Sequence, residues 1–192
     1  MRFQPWVKPI LLIAAVVGLA GSILTPFFMS AKSVAERSSC SSNLRQIALA
    51  CAQYAQDSDG RWPPISSGNK GWAELLPNVT EGFQCPSVGR RSEKNTSDYF
   101  FNAHLATIST SRLNSPMQTI LFGDGLPRGG TNSHFSEMPF DWKTDAHSPA
   151  QRHSQGANYT FADGHVKFLW PKAISNQSPK DGTDWIGTFA VR

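Results

Sequence analysis

From Pro9 to Ala31 the chain is dominated by apolar side chains and carries no charge. Ile10, Leu11, Leu12, Ile13, Val16, Val17, Leu19, Ile23, Leu24, Phe27 and Phe28 make up most of it. A helix needs about 20 such residues to cross about 30 Å of hydrocarbon, so the run predicts a membrane-spanning helix over residues 9–31. Lys8 and Lys32 bracket it and Trp6 lies at one edge, where snorkelling cations and interfacial aromatics belong. The pattern then changes. Leu44, Ile47, Ala48, Cys51, Tyr54 and Ala55 recur at spacings of three and four, opposite Asn43, Arg45, Gln46, Gln53 and Gln56. That spacing describes an amphipathic helix with one buried face. No glycine intervenes between Met29 and Gly60, and no proline between Pro26 and Pro63. The expectation is one helix from about residue 9 to residue 57, on the order of 70 Å long, kinked at Pro26. The segment Asp57-Ser58-Asp59-Gly60 closes it, with Gly60 as C-cap.

Beyond Arg61 the pattern becomes β-type. Short strands are predicted over residues 99–101, 118–122, 157–162 and 165–170, and a helical turn over Gly71–Leu76. Asp163-Gly164 separates two β-type runs and predicts a two-residue hairpin turn. Tyr159, Phe161, Val166, Phe168 and Trp170 alternate along its strands, so a slipped register would expose an apolar face. The polar stretch from Gly125 to Gln151 reads as loop.

Composition narrows the class. The chain has 192 residues, enough for one domain and an appendage. Its hydrophobic fraction of 40% excludes disorder throughout, and a single apolar run excludes a multi-span protein. The net charge is +4, and only Arg2 and Lys8 precede Lys32. Arg90-Arg91 and Arg128 are scattered rather than clustered, so no nucleic-acid footprint is present. The small residues Gly18-Leu19-Ala20 resemble a signal-peptide cleavage site, but the apolar run continues past them and is long for a signal peptide. The layout expected is therefore a cytoplasmic stub at 1–8, a span at 9–31 and an extracytoplasmic domain at 32–192. The helix continues to 57 and the β-rich part covers 61–192.

Several short motifs then fall in a recognisable order. The run Ala35-Glu36-Arg37-Ser38-Ser39-Cys40-Ser41-Ser42-Asn43-Leu44-Arg45-Gln46-Ile47 resembles the first helix of bacterial type IV pilin-like proteins. Ile23–Phe28 with its proline, Tyr54–Pro64, Cys85-Pro86-Ser87 and Tyr99-x-x-Asn102 match the pseudopilin group that carries a prepilin-type processing-associated domain. His153, nine residues, then Asp163-Gly164 matches the H-x9-DG motif that names it. The resemblance covers nearly the whole chain. It implies an α+β, pilin-like fold, with the long N-terminal helix packed on a small antiparallel β-sheet. It also implies a non-enzymatic subunit or accessory of a type II secretion or type IV pilus-like assembly in the bacterial inner membrane. Self-association is expected through the membrane helix, where Ala14, Ala15, Gly18, Ala20 and Gly21 permit close approach. One departure stands out. The family's peptidase cut would fall near Gln4-Pro5, and its buried glutamate position is Pro9. Residues 1–8 are therefore expected to be retained, with the helix a simple anchor.

The chemistry is sparse. Cys40, Cys51 and Cys85 form no C-x-x-C. The family resemblance implies a Cys40–Cys85 disulfide, and Cys51, on the apolar helix face, reads as a small buried hydrophobe; three free thiols are the alternative. His153, Asp163 and His165 could form a metal or catalytic group, but no third ligand and no nucleophile elbow accompany them. The structural reading has Asp163 make the turn through local side-chain to backbone bonds and His153 hydrogen-bond a neighbouring loop; the prediction drawn from it is that Asp163 and Gly164 build a two-residue turn braced by His153, without metal, cofactor or small-molecule substrate. Gly164→Val is then expected to destabilise more than His153→Ala. Asp57, Asp59 and Gly60 lack the later ligands of a calcium loop. The four Asn-x-Ser/Thr sequons at Asn78, Asn95, Asn158 and Asn176 carry no weight in the bacterial setting that the resemblance implies. The rival class is a membrane-held hydrolase or ligand- or metal-binding domain using His153, Asp163 and Asp124, which would need those groups in one concave site.

Overall fold

The computed structural model describes residues 7–79, 83–89, 96–126, 130–139, 141–177 and 186–191. The Gln4-Pro5 position, Trp6, Asn95, Arg90-Arg91 and Arg128 lie outside the described residues. The chain divides into two compact units, Met1–Ala35 and Glu36–Arg192.

One helix, α1, runs Val7–Asp57 with Pro26 inside it. Within the first unit its apolar side chains lie open to the surroundings, Leu12 at 67% and Phe27 at 70% exposure. The helix is long and apolar enough to cross a membrane. The Ser22 and Thr25 hydroxyls bond back to the helix's own carbonyls, as hydrocarbon demands. Proline cannot donate to the carbonyl four residues back, so Pro26 leaves the Ser22 carbonyl without its helical partner. Thr25 Oγ1 shares its proton between that carbonyl at 3.1 Å and the Gly21 carbonyl at 3.0 Å. Ser22 Oγ donates in turn to the Leu19 carbonyl at 2.8 Å.

In the second unit, Cys40, Leu44, Ile47, Ala48, Cys51 and Ala55 are buried while Leu49 is exposed, so the amphipathic face falls where the spacing puts it. The helix ends with the Gly60 N–H donating to the Ala55 carbonyl at 2.8 Å. Asp59 takes the left-handed conformation (φ 52°) that glycine usually fills, and Gly60 follows at φ 72°. The C-cap is thus one residue earlier than expected. Asp tolerates that conformation better than most side chains.

The remaining elements are β1 (Ser66–Ser67), β2 (Lys70–Gly71), α2 (Trp72–Leu75), β3 (Tyr99–Asn102), β4 (Ile120–Asp124), β5 (His134–Phe135), β6 (Ala157–Phe161), β7 (Val166–Leu169), β8 (Ile174–Ser175) and β9 (Gly187–Thr188). The main sheet has the order β5-β3-β4-β6-β7. Its long strands are antiparallel, but β5 joins β3 in parallel, so the sheet is mixed rather than purely antiparallel. The segment expected to be loop therefore supplies an edge strand. It also supplies Trp142, which packs edge-on against Phe100 and Phe135.

Both faces of the central strands β3, β4 and β6 are buried, whereas the edge strands β5 and β7 are partly exposed. Tyr99, Phe101 and Phe122 pack with α1 and Trp72, whereas Phe100, Ile120, Tyr159 and Phe161 pack with Trp142, Ile174 and Phe189. Each such large apolar side chain contributes about 1.5–3 kcal/mol. Burial on both faces explains the nearly continuous apolar runs Tyr99–Phe101 and Ile120–Phe122.

The β6–β7 hairpin departs from the two-residue expectation. Thr160 pairs with Val166, and the Phe161 N–H donates to the His165 carbonyl at 2.9 Å, which leaves three residues in the loop. The Gly164 N–H donates to the Phe161 carbonyl at 2.8 Å, and Gly164 has φ 90°. A turn followed by a left-handed glycine is the three-residue solution. In this register Tyr159 opposes Lys167 and Asn158 opposes Phe168, so the aromatics of the two strands serve opposite faces rather than one. A second tight hairpin precedes β6. His153 and Gly156 exchange backbone hydrogen bonds of 2.8 and 3.3 Å, with Ser154 (φ 53°) and Gln155 (φ 72°) at the corner.

Candidate functional site

Strand β4 ends in Asp124, wholly buried. An isolated carboxylate there would be very costly, so its partners define the site. Arg152 Nη1 donates to Oδ1 at 3.2 Å, and the Asn158 backbone N–H donates to Oδ2 at 2.8 Å. His153 Nε2 lies 3.3 Å from Oδ2. The tight Ser154-Gln155 corner is what sets Arg152 and His153 beside the start of β6, facing β4. Arg152 is further fixed by the Asp98 carbonyl at 2.9 Å and the Gly125 carbonyl.

His153 is 2% exposed. Its Nε2 is also 3.6 Å from Cys85 Sγ, and its Nδ1 is 3.2 Å from Ser87 Oγ. Ser87 donates its hydroxyl proton to Glu36 Oε2 at 3.3 Å. That orientation points the serine proton away from the imidazole, so the contact orients the ring rather than arming a nucleophile. Cys40 and Cys85 are joined by a disulfide, their Cα atoms 5.2 Å apart, and Cys51 is buried and free. Burial pushes the Cys51 thiol well above its ordinary value, which makes it inert.

The same corner collects other motif residues. Asn43 Nδ2 donates to the Gln84 carbonyl at 2.9 Å and to the Tyr99 hydroxyl at 3.2 Å. Burial and the nearby Asp124 charge raise the Tyr99 pKa. Asn158 Nδ2 donates to the Arg37 carbonyl at 3.3 Å. The Cys85 N–H donates to Asp98 Oδ2 at 2.9 Å. At the far end of β3, Asn102 Nδ2 ties the Ile120 and Phe189 carbonyls together at 2.8 and 3.1 Å.

His153 and Asp163 do not meet. Asp163 sits on the hairpin turn at the opposite end of β6, where its Oδ1 accepts from the His165 N–H at 3.2 Å and contacts His165 Nδ1 at 2.6 Å. His153 bonds a neighbouring loop through Ser87, as expected, but the expectation that it braces the Asp163-Gly164 turn is corrected: it braces the Ser87, Asp124 and disulfide corner. The sequence separation of ten residues is spent on one corner plus one strand. Of the rival trio His153, Asp163 and Asp124, the structure brings together only the first and last. Two of the surface grooves are lined by other residues, one by Phe168, Trp170, Lys172 and Ile186 and another by Met117, His165 and Lys167.

Sequence reasoning missed Arg152 and Asn158. Arg152 adjoins the motif histidine, and Asn158 interrupts an apolar strand; both are polar residues where the pattern asks for burial. Three groups here are of metal-ligating type: the sulfurs of Cys40 and Cys85 and the His153 imidazole lie within 4.8 Å of one another. As a disulfide, the sulfurs lack the thiolate charge that binds a metal. No protein-family model, no curated protein and no solved structure matches this chain.

Proposed function

We propose that this chain is a non-enzymatic, membrane-anchored, pilin-like subunit or accessory of a type II secretion or type IV pilus-like assembly. The observation that carries the reading is α1 itself. One helix, Val7–Asp57, exposes apolar side chains through residues 9–31 and buries Cys40, Leu44, Ile47 and Cys51 in its later turns. An exposed apolar surface of that length is stable only in lipid or against another apolar surface. The residues that carry the family resemblance add support. Cys85, Ser87, Tyr99, Asn43 and His153 converge on one buried corner and bond with one another or with neighbouring backbone. Saturated bonding of that kind suits a structural brace better than a reacting centre. The anchored domain faces the extracytoplasmic side, with the N-terminus cytoplasmic.

Assembly proceeds helix against helix within the membrane. Gly18 and Gly21 have open space where a side chain would stand, and with Ala14 they mark one face of the helix. Cysteine cross-linking of the full chain in native membranes tests this. Gly18→Cys and Gly21→Cys are expected to give dimers under mild oxidation, whereas Val16→Cys and Ile23→Cys, on the opposite face, are not. Equal yields on both faces, or none on either, would remove the self-assembly reading.

A further inference from the structure

We propose that the corner bridged by the Cys40–Cys85 disulfide becomes a zinc site when that bond is reduced, with Cys40, Cys85 and His153 as ligands. Tetrahedral zinc, with bonds of about 2.0–2.3 Å, sets its ligand atoms roughly 3.3–3.8 Å apart. His153 Nε2 already stands 3.6 Å from Cys85 Sγ, and the three ligand atoms lie within 4.8 Å of one another. Opening the S–S bond needs only small side-chain rotations to spread the sulfurs to that spacing. Asp124, whose Oδ2 lies 3.3 Å from the same imidazole nitrogen, stays on its Asn158 and Arg152 partners, so the fourth position falls to a water.

The chemistry balances. A dithiol reductant delivers two electrons and two protons to the S–S bond and leaves as its own disulfide, giving two thiols on this chain. Zinc then displaces both thiol protons and binds two thiolates. The charges balance after the exchange. In the oxidised corner the Asp124 carboxylate is matched by Arg152 at 3.2 Å. Two buried thiolates alone would add an unmatched charge of −2, which burial penalises strongly. A divalent cation cancels that charge and leaves the Asp124–Arg152 pair as it was. The surrounding contacts also suit a metal ligand. Ser87 Oγ at 3.2 Å from Nδ1 fixes the ring so that Nε2 faces the sulfurs, the kind of outer contact that metal-bound histidines use. The corner would thus be covalently stapled in an oxidising setting and metal-stapled in a reducing one, with the helix tied to the Cys85 loop in both.

The experiment uses the full chain in detergent, carrying Cys51→Ala so that the third thiol takes no part. One sample is kept oxidised and the other is reduced until thiol titration finds two free thiols per chain. Zinc binding is read by competition with a chromogenic chelator. Cobalt substitution reads the ligands by its thiolate charge-transfer absorption. The reduced chain is expected to bind one zinc at least 100-fold more tightly than the oxidised chain. Reduced protein carrying His153→Gln should bind at least tenfold more weakly than its parent while keeping the same helical circular dichroism. Equal binding in both redox states would overturn the proposal. So would cobalt absorption without a thiolate band, unchanged affinity in the His153→Gln protein, or a reduced chain that unfolds and is not restored by zinc.

Discussion

At the scale of single residues, the hub is Asp124 rather than the motif aspartate. His153→Ala removes one partner of a buried carboxylate and leaves a void beside the disulfide, which should cost about 2–4 kcal/mol. Gly164 has φ 90°, but a Cβ there would meet nothing within 4 Å. Its replacement by a residue with a Cβ costs mainly the backbone term of about 1–2 kcal/mol. Denaturant midpoints should therefore rank His153→Ala below Gly164→Val, the reverse of what the turn motif alone implies; the opposite ranking would relocate the brace. Tyr99 and Tyr159 give the pH signature. Burial raises both phenol pKa values above the ordinary value, and the neighbouring Asp124 charge adds to it. A raised folded-state value contributes stability that is complete below the unfolded value of about 10 and is lost as pH climbs above it. Alkaline titration should show these two phenols ionising only as the circular dichroism collapses, with Tyr159→Phe losing less stability above that pH. Their ionisation in an intact fold would contradict the packing.

Among elements, the hairpins show how far local chemistry could be read. Asp163-Gly164 was legible as a turn, but its loop length was not. The three-residue loop follows from cross-strand pairing of Thr160 with Val166, which leaves no local trace in the sequence. The Ser154-Gln155 corner was invisible because neither residue favours the positive φ that both adopt. It is held by the buried Arg152 and His153 on one side and by Gly156 on the other. A Cβ on Gly156 would lie 2.3 Å from the Phe168 ring. Gln155→Gly should accordingly stabilise the domain by about 0.5–1 kcal/mol in thermal or denaturant unfolding; a loss would mean that the Gln155 side chain is held by contacts beyond its backbone. Strands β3, β4, β6 and β7 were readable within a residue or two because their apolar runs are strong. Strand β5 was not: His134–Phe135 is two residues long in a polar stretch and pairs only through β3.

At the scale of the whole chain, the long helix was the most legible feature, since its apolar run and its amphipathic face are both local patterns. The buried corner was half legible. Cys40, Cys85 and His153 could be singled out from motifs, whereas Arg152 gained its role only from the fold around Asp124. The disulfide spans a sequence separation of 45 residues, so it should contribute roughly 3–4 kcal/mol through the entropy of the unfolded chain. The proposal that residues 9–31 anchor the chain in the membrane goes with the expectation that residues 1–8 are retained. Intact mass measurement of the protein extracted from membranes tests it most directly. The predicted result is an N-terminus that keeps residues 2–8 ahead of the apolar run, with or without Met1. A chain cut near Gln4-Pro5 with a methylated new N-terminus would contradict the unprocessed anchor, and a soluble product lacking the apolar run would contradict the anchor altogether.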